Sequence, residues 1–234
     1  MNKLKSTFIE GIFIKRYKRF FADIRLNNKE IVTAHCPNTG SMMGLLNEGN
    51  KALISKSDDP KRKLKYTLEL IKIKNNLVGV NTLLANRIVY EGLSNNLINE
   101  FKDSDSIKPE VYFNNDTRFD FLVNKNNQNY FIEVKNVTLF RNINTAEFPD
   151  AVTSRGSKHL ITLIDAIKKG YKSYVIFLVQ IQNIDNFKIA KDIDKDYYKN
   201  YLLAKKTGVQ FLAYKCKIDP VEITIKKKLK IINE

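Results

Sequence analysis

The sequence predicts an α+β chain in two parts, a small antiparallel β-barrel over residues 1–80 and a mixed α/β layer over residues 81–234. Two observations carry this expectation. The first 80 residues fall into short β-type runs separated by clusters of Asn, Gly, Asp and Pro. At residue 81 the pattern changes, and helical spacing begins to alternate with strand-like runs.

In the first part the β runs are "FIEGIFIKRY", "FFADIRL", "EIVTAHC", "KALISKS", "LKYTLELIKIK" and "LVGV", with turns in "NNKE", "PNTGSMMG", "NEGN" and "SDDPKRK". About five strands with a basic surface suggest an OB-like barrel. The second part opens on "NTLLANRIVYEGLSNNLINEF", where Asn81 or Thr82 can cap a helix whose apolar positions are Leu84, Ile88, Leu93 and Leu97. Then come "EVYF", the strands "RFDFLV" and "NYFIEVKN", and a helix in "SRGSKHLITLIDAIKKG" closed by Gly170. A continuous apolar strand "YVIFLVQI", a helix "KDYYKNYLLAKKTG" ended by Gly208, the strand "VQFLAYKCKI" and a basic strand "EITIKKKLKII" complete the layer.

Composition excludes a disordered chain and a helical membrane protein: 43 % of residues are hydrophobic and 28 % charged, and no apolar run approaches roughly 20 residues. The basic start lacks an apolar leader and cleavage site, which predicts a mature, cytoplasmic protein. Two distant cysteines, Cys36 and Cys216, predict reduced thiols rather than a disulfide framework. The net charge of +15 points to a polyanionic partner, although a composition crowded with Lys, Asn and Ile accounts for part of it. The excess is concentrated at the front, where residues 1–80 hold 16 Lys/Arg against 7 Asp/Glu.

The stretch "RFDFLVNKNNQNYFIEVKN" places Asp120, Glu133 and Lys135 inside two otherwise apolar runs. Alternation puts Glu133 and Lys135 on one face of their strand, and Asp120 with Leu122 on one face of theirs, opposite Phe119, Phe121 and Val123. If the strands pair through "NKNNQN", the two carboxylates converge, and a divalent cation would relieve their repulsion. Mg²⁺, or Mn²⁺ in its place, suits this donor set and phosphodiester hydrolysis. Lys135 would then hold the attacking water or offset charge on the phosphate. Glu110, in "IKPEVYF", is a further acid that could reach the metal through water. The alternative is a solvated hairpin face with Glu133 and Lys135 as an ordinary surface pair. Asp150, in the literal "PD" of "EFPDAV", follows the ExK segment and stands in the wrong order to be the first metal acid.

Three basic clusters are candidates for nucleic-acid contact. "KRYKRF" interleaves Arg16, Lys18 and Arg19 with aromatics, "DPKRKLKY" holds Lys61, Arg62 and Lys63 in a turn, and "TSRGSKHL" sets Arg155 and Lys158 at a helix start. Each could equally be a solvated or core-forming segment. His35 and Cys36, in "HCPNTGSMMG", fit a turn between barrel strands better than a nucleophile or a zinc site.

Eight ordered segments, "GIFIKRYKRFFADI", "HCPNTGSMMGL", "DDPKRKLKYTLEL", "VGVNTLLAN", "RFDFLV", "FIEVKNVTL", "EFPDAVTSRGSKHL" and "FLVQ", resemble the sugar fermentation stimulation protein A (SfsA) family over nearly the whole chain. The resemblance implies a bacterial or archaeal cytoplasmic protein with an N-terminal OB-like domain and a C-terminal domain of the PD-(D/E)xK (restriction-endonuclease-like) type. It places that motif on Asp120, Glu133 and Lys135, with Glu110 as a helix-side acid. It also implies sequence-nonspecific DNA binding. Two functions follow as expectations: a metal-dependent nuclease on DNA or RNA, or a non-catalytic DNA-binding protein influencing sugar-catabolism genes. A homodimer through the edge strand "EITIKKKLKII" is the alternative to an edge protected by its lysines.

Overall fold

The computed structural model describes residues 8–142, 144–219 and 222–232. The opening MNKLKST, part of the stretch expected to carry no leader, lies outside them. The barrel part consists of β1 (Ile9–Tyr17), β2 (Phe21–Leu26), β3 (Ile31–His35), β4 (Lys51–Lys56), β5 (Tyr66–Ile73) and β6 (Asn76–Gly79). Their order is β3-β2-β1-β4-β5-β6, and a parallel pairing of β3 with β5 closes five strands into an OB barrel. Alternation fills the barrel: Phe13, Ala22, Ile24, Ala34, Ile54 and Leu68 are fully buried inside, and on the opposite face of β4 and β5 Leu53, Thr67 and Glu69 are buried as well.

The second part comprises α1 (Ala85–Ser94), β7 (Ser106–Asn114), β8 (Thr117–Lys125), β9 (Gln128–Val137), β10 (Leu139–Asn142), β11 (Thr145–Phe148), α2 (Ser154–Lys168), β12 (Lys172–Val179), β13 (Asn186–Ile189), α3 (Lys195–Thr207), β14 (Gln210–Ile218), β15 (Ile223–Lys228) and β16 (Lys230–Ile231). Its main sheet has the order β15-β14-β12-β9-β8-β7. The central strands β9, β12 and β14 run parallel, as their near-continuous apolar runs require, and β7, β8 and β15 are antiparallel flanks. One face packs on α1 through Ile88, Val89 and Leu93 with Ile132 and Ile176; the other packs on α2 and α3 through Leu160, Leu163 and Tyr201 with Val175 and Phe177.

Local chemistry sets the helix ends. The Asn81 side chain accepts the Leu83 N–H and starts a short 3₁₀ turn, Thr82–Leu84, that leads into α1. Thr153 and Asp194 cap α2 and α3 in the same way, and Gly208 ends α3 at φ 111°, a conformation glycine adopts without strain. Helix α1 stops at Ser94, so Leu97, expected on its apolar face, is exposed beyond a left-handed turn at Asn96. The four-residue strands β10, β11 and β13 are too short to show a period; with β16 they form a second sheet, β10-β11-β13-β16. The run "EITIKKKLKII" is correspondingly two strands. At Leu229, whose N–H is donated to the Ala213 carbonyl, the chain leaves the main sheet for the smaller one.

The barrel joins the sheet directly. Gly79 N–H is donated to Gln180 O at 2.8 Å and Val78 bridges Ile181. A Cβ at Gly79 would meet the Gln180 side chain at 2.4 Å, so a larger residue there would have to displace Gln180. Cys36 and Cys216 are buried free thiols. Among the described residues, no helix is long and apolar enough to cross a membrane.

Candidate active site

Strand β9 carries Glu133 and Lys135 on the face that α2 covers, opposite Ile132 and Val134, which pack toward α1. The Lys135 ammonium donates to Glu133 Oε1 at 2.7 Å, and His159 of α2 lies in hydrogen-bond contact with the same oxygen through Nδ1. Glu133 is 4 % exposed. This disposes of the solvated-hairpin alternative, because a carboxylate at that depth depends on its partners. Burial alone would push the Glu133 carboxyl up. The Lys135 charge and the contacts from His159 and Lys135 outweigh it and hold the group below its ordinary value.

Asp120 arrives from β8 by an irregularity. The β8–β9 ladder runs only to Phe121↔Ile132, and beyond it the Asp120 carboxylate takes the Val134 N–H at 2.7 Å. Alternation fails at this point: Phe119 packs with Phe113 and Phe131, whereas Phe121 stacks on Tyr90 in the cluster under α1. The expected common face of Phe119 and Phe121 is therefore broken beside Asp120. Burial first, and the Glu133 charge second, raise the Asp120 pKa from 3.8 to about 6.

Glu110 is a strand residue of β7, not a helix-side acid. It holds φ 55° between the pairs Pro109↔Phe121 and Val111↔Phe119, which places it across from Asp120. Its carboxylate pairs with Arg118 Nε at 2.8 Å. What the helix contributes instead is Asn86 of α1, whose amide donates to Asp120 Oδ1 at 2.7 Å and approaches Glu110 Oε1 at 3.4 Å. Sequence reasoning passed over Asn86; its signal was a short amide in the first turn of an amphipathic helix.

The predicted basic residues divide. Arg155 and Lys158 line the cleft that contains Asp120 and Glu133. Arg62 and Lys63 line a separate depression on the barrel, with Lys61 exposed in the same turn. Lys18 and Arg19 form the tip of the β1–β2 hairpin at positive φ. Arg16 turns back onto the protein instead. Its guanidinium donates to the carbonyls of Arg19, Asn38 and Gly40 at 2.7, 2.6 and 3.0 Å, fixing the loop after β3. Asp150 anchors the same loop from the other domain, its carboxylate accepting the Met42 N–H at 3.0 Å and its carbonyl the Ser41 hydroxyl at 2.6 Å. His35 stacks on Phe20.

The donor set fits a hard divalent cation in part. Glu133 Oε2 is buried with no hydrogen-bond partner, and the repulsion between Asp120 and Glu133 is what a cation would relieve. Among the described residues, however, no group of three or more His, Cys, Asp and Glu side chains converges, so two protein carboxylates are available and water or substrate must complete the shell.

An OB barrel followed by a restriction-endonuclease-like sheet, with a D…ExK constellation on adjacent strands, defines the class. Residues 14–80 match the model of the SfsA N-terminal OB domain, and residues 83–222 that of the sugar fermentation stimulation protein RE domain. The chain belongs to the sugar fermentation stimulation protein family. A sugar fermentation stimulation protein homolog of Pelagibacter ubique is 72 % identical over 225 residues, covering 96 % of this chain and 97 % of that one. The Maricaulis maris homolog is 40 % identical, covering 98 % of both. The structure of Pyrococcus furiosus SfsA in complex with Ca²⁺ shares the fold over the full length of both chains, with a TM-score of 0.89 at 22 % identity.

Proposed function

We propose that the chain is a metal-dependent nuclease that hydrolyses phosphodiester bonds of DNA or RNA and binds the strand without sequence specificity. The observation that carries this is the pairing of Asp120 with Glu133, whose Oε2 is buried without a partner, beside Lys135 in a cleft flanked by Arg155 and Lys158. Asp120 and Glu133 would hold Mg²⁺ or Mn²⁺; the Ca²⁺ of the Pyrococcus furiosus structure is in keeping with a divalent ion on this fold. When bound, such an ion polarises a phosphate and acidifies a water.

The remaining groups work around that pair. Val134 N–H and Asn86 orient the Asp120 carboxylate. His159 and Lys135 share Glu133 Oε1 and leave the second oxygen available. The Lys135 ammonium, near the cleft floor, offsets charge that grows on the phosphate and orients the water. Arg155 and Lys158 receive the flanking phosphates.

The test is cleavage of labelled single- and double-stranded DNA and RNA with Mg²⁺, Mn²⁺ or EDTA, by wild type, Glu133→Ala and Lys135→Ala. Cleavage that disappears in EDTA and in both variants supports the reading; equally efficient cutting in EDTA overturns the metal mechanism. The amide at Asn86, where a third acid would complete a metal shell, favours a second reading, a non-catalytic DNA-binding protein acting on sugar-catabolism genes. That reading requires all three proteins to bind alike and none to cut.

A further inference from the structure

Two depressions in the surface meet at the turn Thr82–Leu84. Thr82 stands on the wall of the one that contains Asp120 and Glu133, and its hydroxyl is donated to the Pro37 carbonyl at 2.6 Å, pinning the turn to the barrel. Leu83 faces the other depression, together with His35, Arg62 and Lys63. Leu83 is 72 % exposed, and Phe20, 43 % exposed, stacks on His35 with ring centroids 6.4 Å apart and planes 28° apart. Burial, with the Arg62 charge adding to it, lowers the His35 pKa and so favours the neutral ring. Glu69, the acid in this depression, is engaged by Ser55 at 2.6 Å and Asn81 at 2.8 Å.

Cations alone would serve a duplex and a single strand equally, since both present phosphates. The water-facing Phe20 ring, stacked on His35, and the exposed Leu83 beside those cations discriminate. A duplex keeps its bases stacked on each other, whereas an unpaired strand offers base faces to such a platform. From the barrel side, the approach to the almost fully buried Glu133 runs between the loop at Asn38–Gly40 and the segment around Asp150, while Arg155 and Lys158 border a second opening onto the same carboxylates.

We propose that the site takes a single-stranded polynucleotide, its bases on Phe20, His35 and Leu83 and its backbone along Arg62 and Lys63, past Thr82, to the carboxylates; for the fate of the strand there, this rests on the nuclease reading. Binding of short labelled single strands and duplexes, as DNA and as RNA, is measured by fluorescence anisotropy in EDTA for wild type, Phe20→Ala and Leu83→Ser. Single strands bind roughly tenfold or more tighter than duplexes of the same sequence, and each substitution weakens single-strand binding roughly five- to thirtyfold with the melting temperature unchanged. Equal affinity for both forms, or single-strand affinity untouched by either substitution, overturns the proposal. If Phe20→Ala lowers the melting temperature, the more exposed Leu83→Ser decides. Selective single-strand binding without cleavage in Mg²⁺ or Mn²⁺ would uphold this inference and remove the nuclease reading. Metal-dependent cutting of both forms at equal affinity would do the reverse.

Discussion

The barrel and the sheet domain handle charge in opposite ways. In the barrel, residues adjacent in sequence disperse: from the single run "KRYKRF", Arg16 turns to three backbone carbonyls while Lys18 and Arg19 reach the hairpin tip. In the sheet domain, residues distant in sequence converge: Asn86 of α1 reaches Asp120 of β8, and His159 of α2 reaches Glu133 of β9, on the oxygen that Lys135, two positions along the same strand, also holds. A cluster in the sequence is thus no measure of a cluster in space. Strand pairing and face decide which charges meet.

Four experiments sharpen or break this contrast. The largest effect belongs to Glu133→Ala, expected to lower cleavage roughly 1,000-fold or more while nucleic-acid affinity changes little. Parallel loss of affinity and activity would make Glu133 a binding residue instead.

Next is pH. Asp120 has a folded pKa of about 6 against an ordinary 3.8, so the folded state binds this proton more tightly than the unfolded state does. Stability therefore falls as pH rises through that window, and the penalty, on the order of 3 kcal/mol, is fully present above it and absent below it. Urea unfolding of metal-free wild type against Asp120→Ala should show the difference moving in favour of wild type from pH 7 to near pH 4. A difference that stays flat would mean that burial and the Glu133 charge together do not raise the Asp120 carboxyl in the folded protein.

Arg16→Ala should cost roughly 2 kcal/mol in urea unfolding, because the loop carbonyls lose a charged donor. Its effect on the salt dependence of binding should be nil. Smallest is Lys63→Ala, expected to leave stability unchanged and to reduce the slope of log affinity against log salt by about 1. If Arg16→Ala changed the slope and Lys63→Ala the stability, the division of labour within the barrel would be inverted.

Periodicity made much of this legible. Period-2 runs and turn clusters announced all six barrel strands, and caps at Asn81 and Gly208 announced the ends of two helical segments. The face shared by Glu133 and Lys135 follows from strand alternation alone. Elements without a period were missed: β10, β11 and β13 have four residues each, and the break at Leu229 is enforced by a partner strand rather than by its own sequence.

What the sequence determined by itself was local: where the backbone extends or coils, and which side of each element is apolar, because both depend on neighbours a few residues away. Only the tertiary structure decided that Asp120 leaves the regular ladder to take the Val134 N–H, that Asn86 rather than Glu110 is the helix's contribution, and that Arg16 fixes a loop. The physical reason is that a polar side chain takes whichever unsatisfied partner folding brings within about 3 Å, and that choice is made across the whole chain.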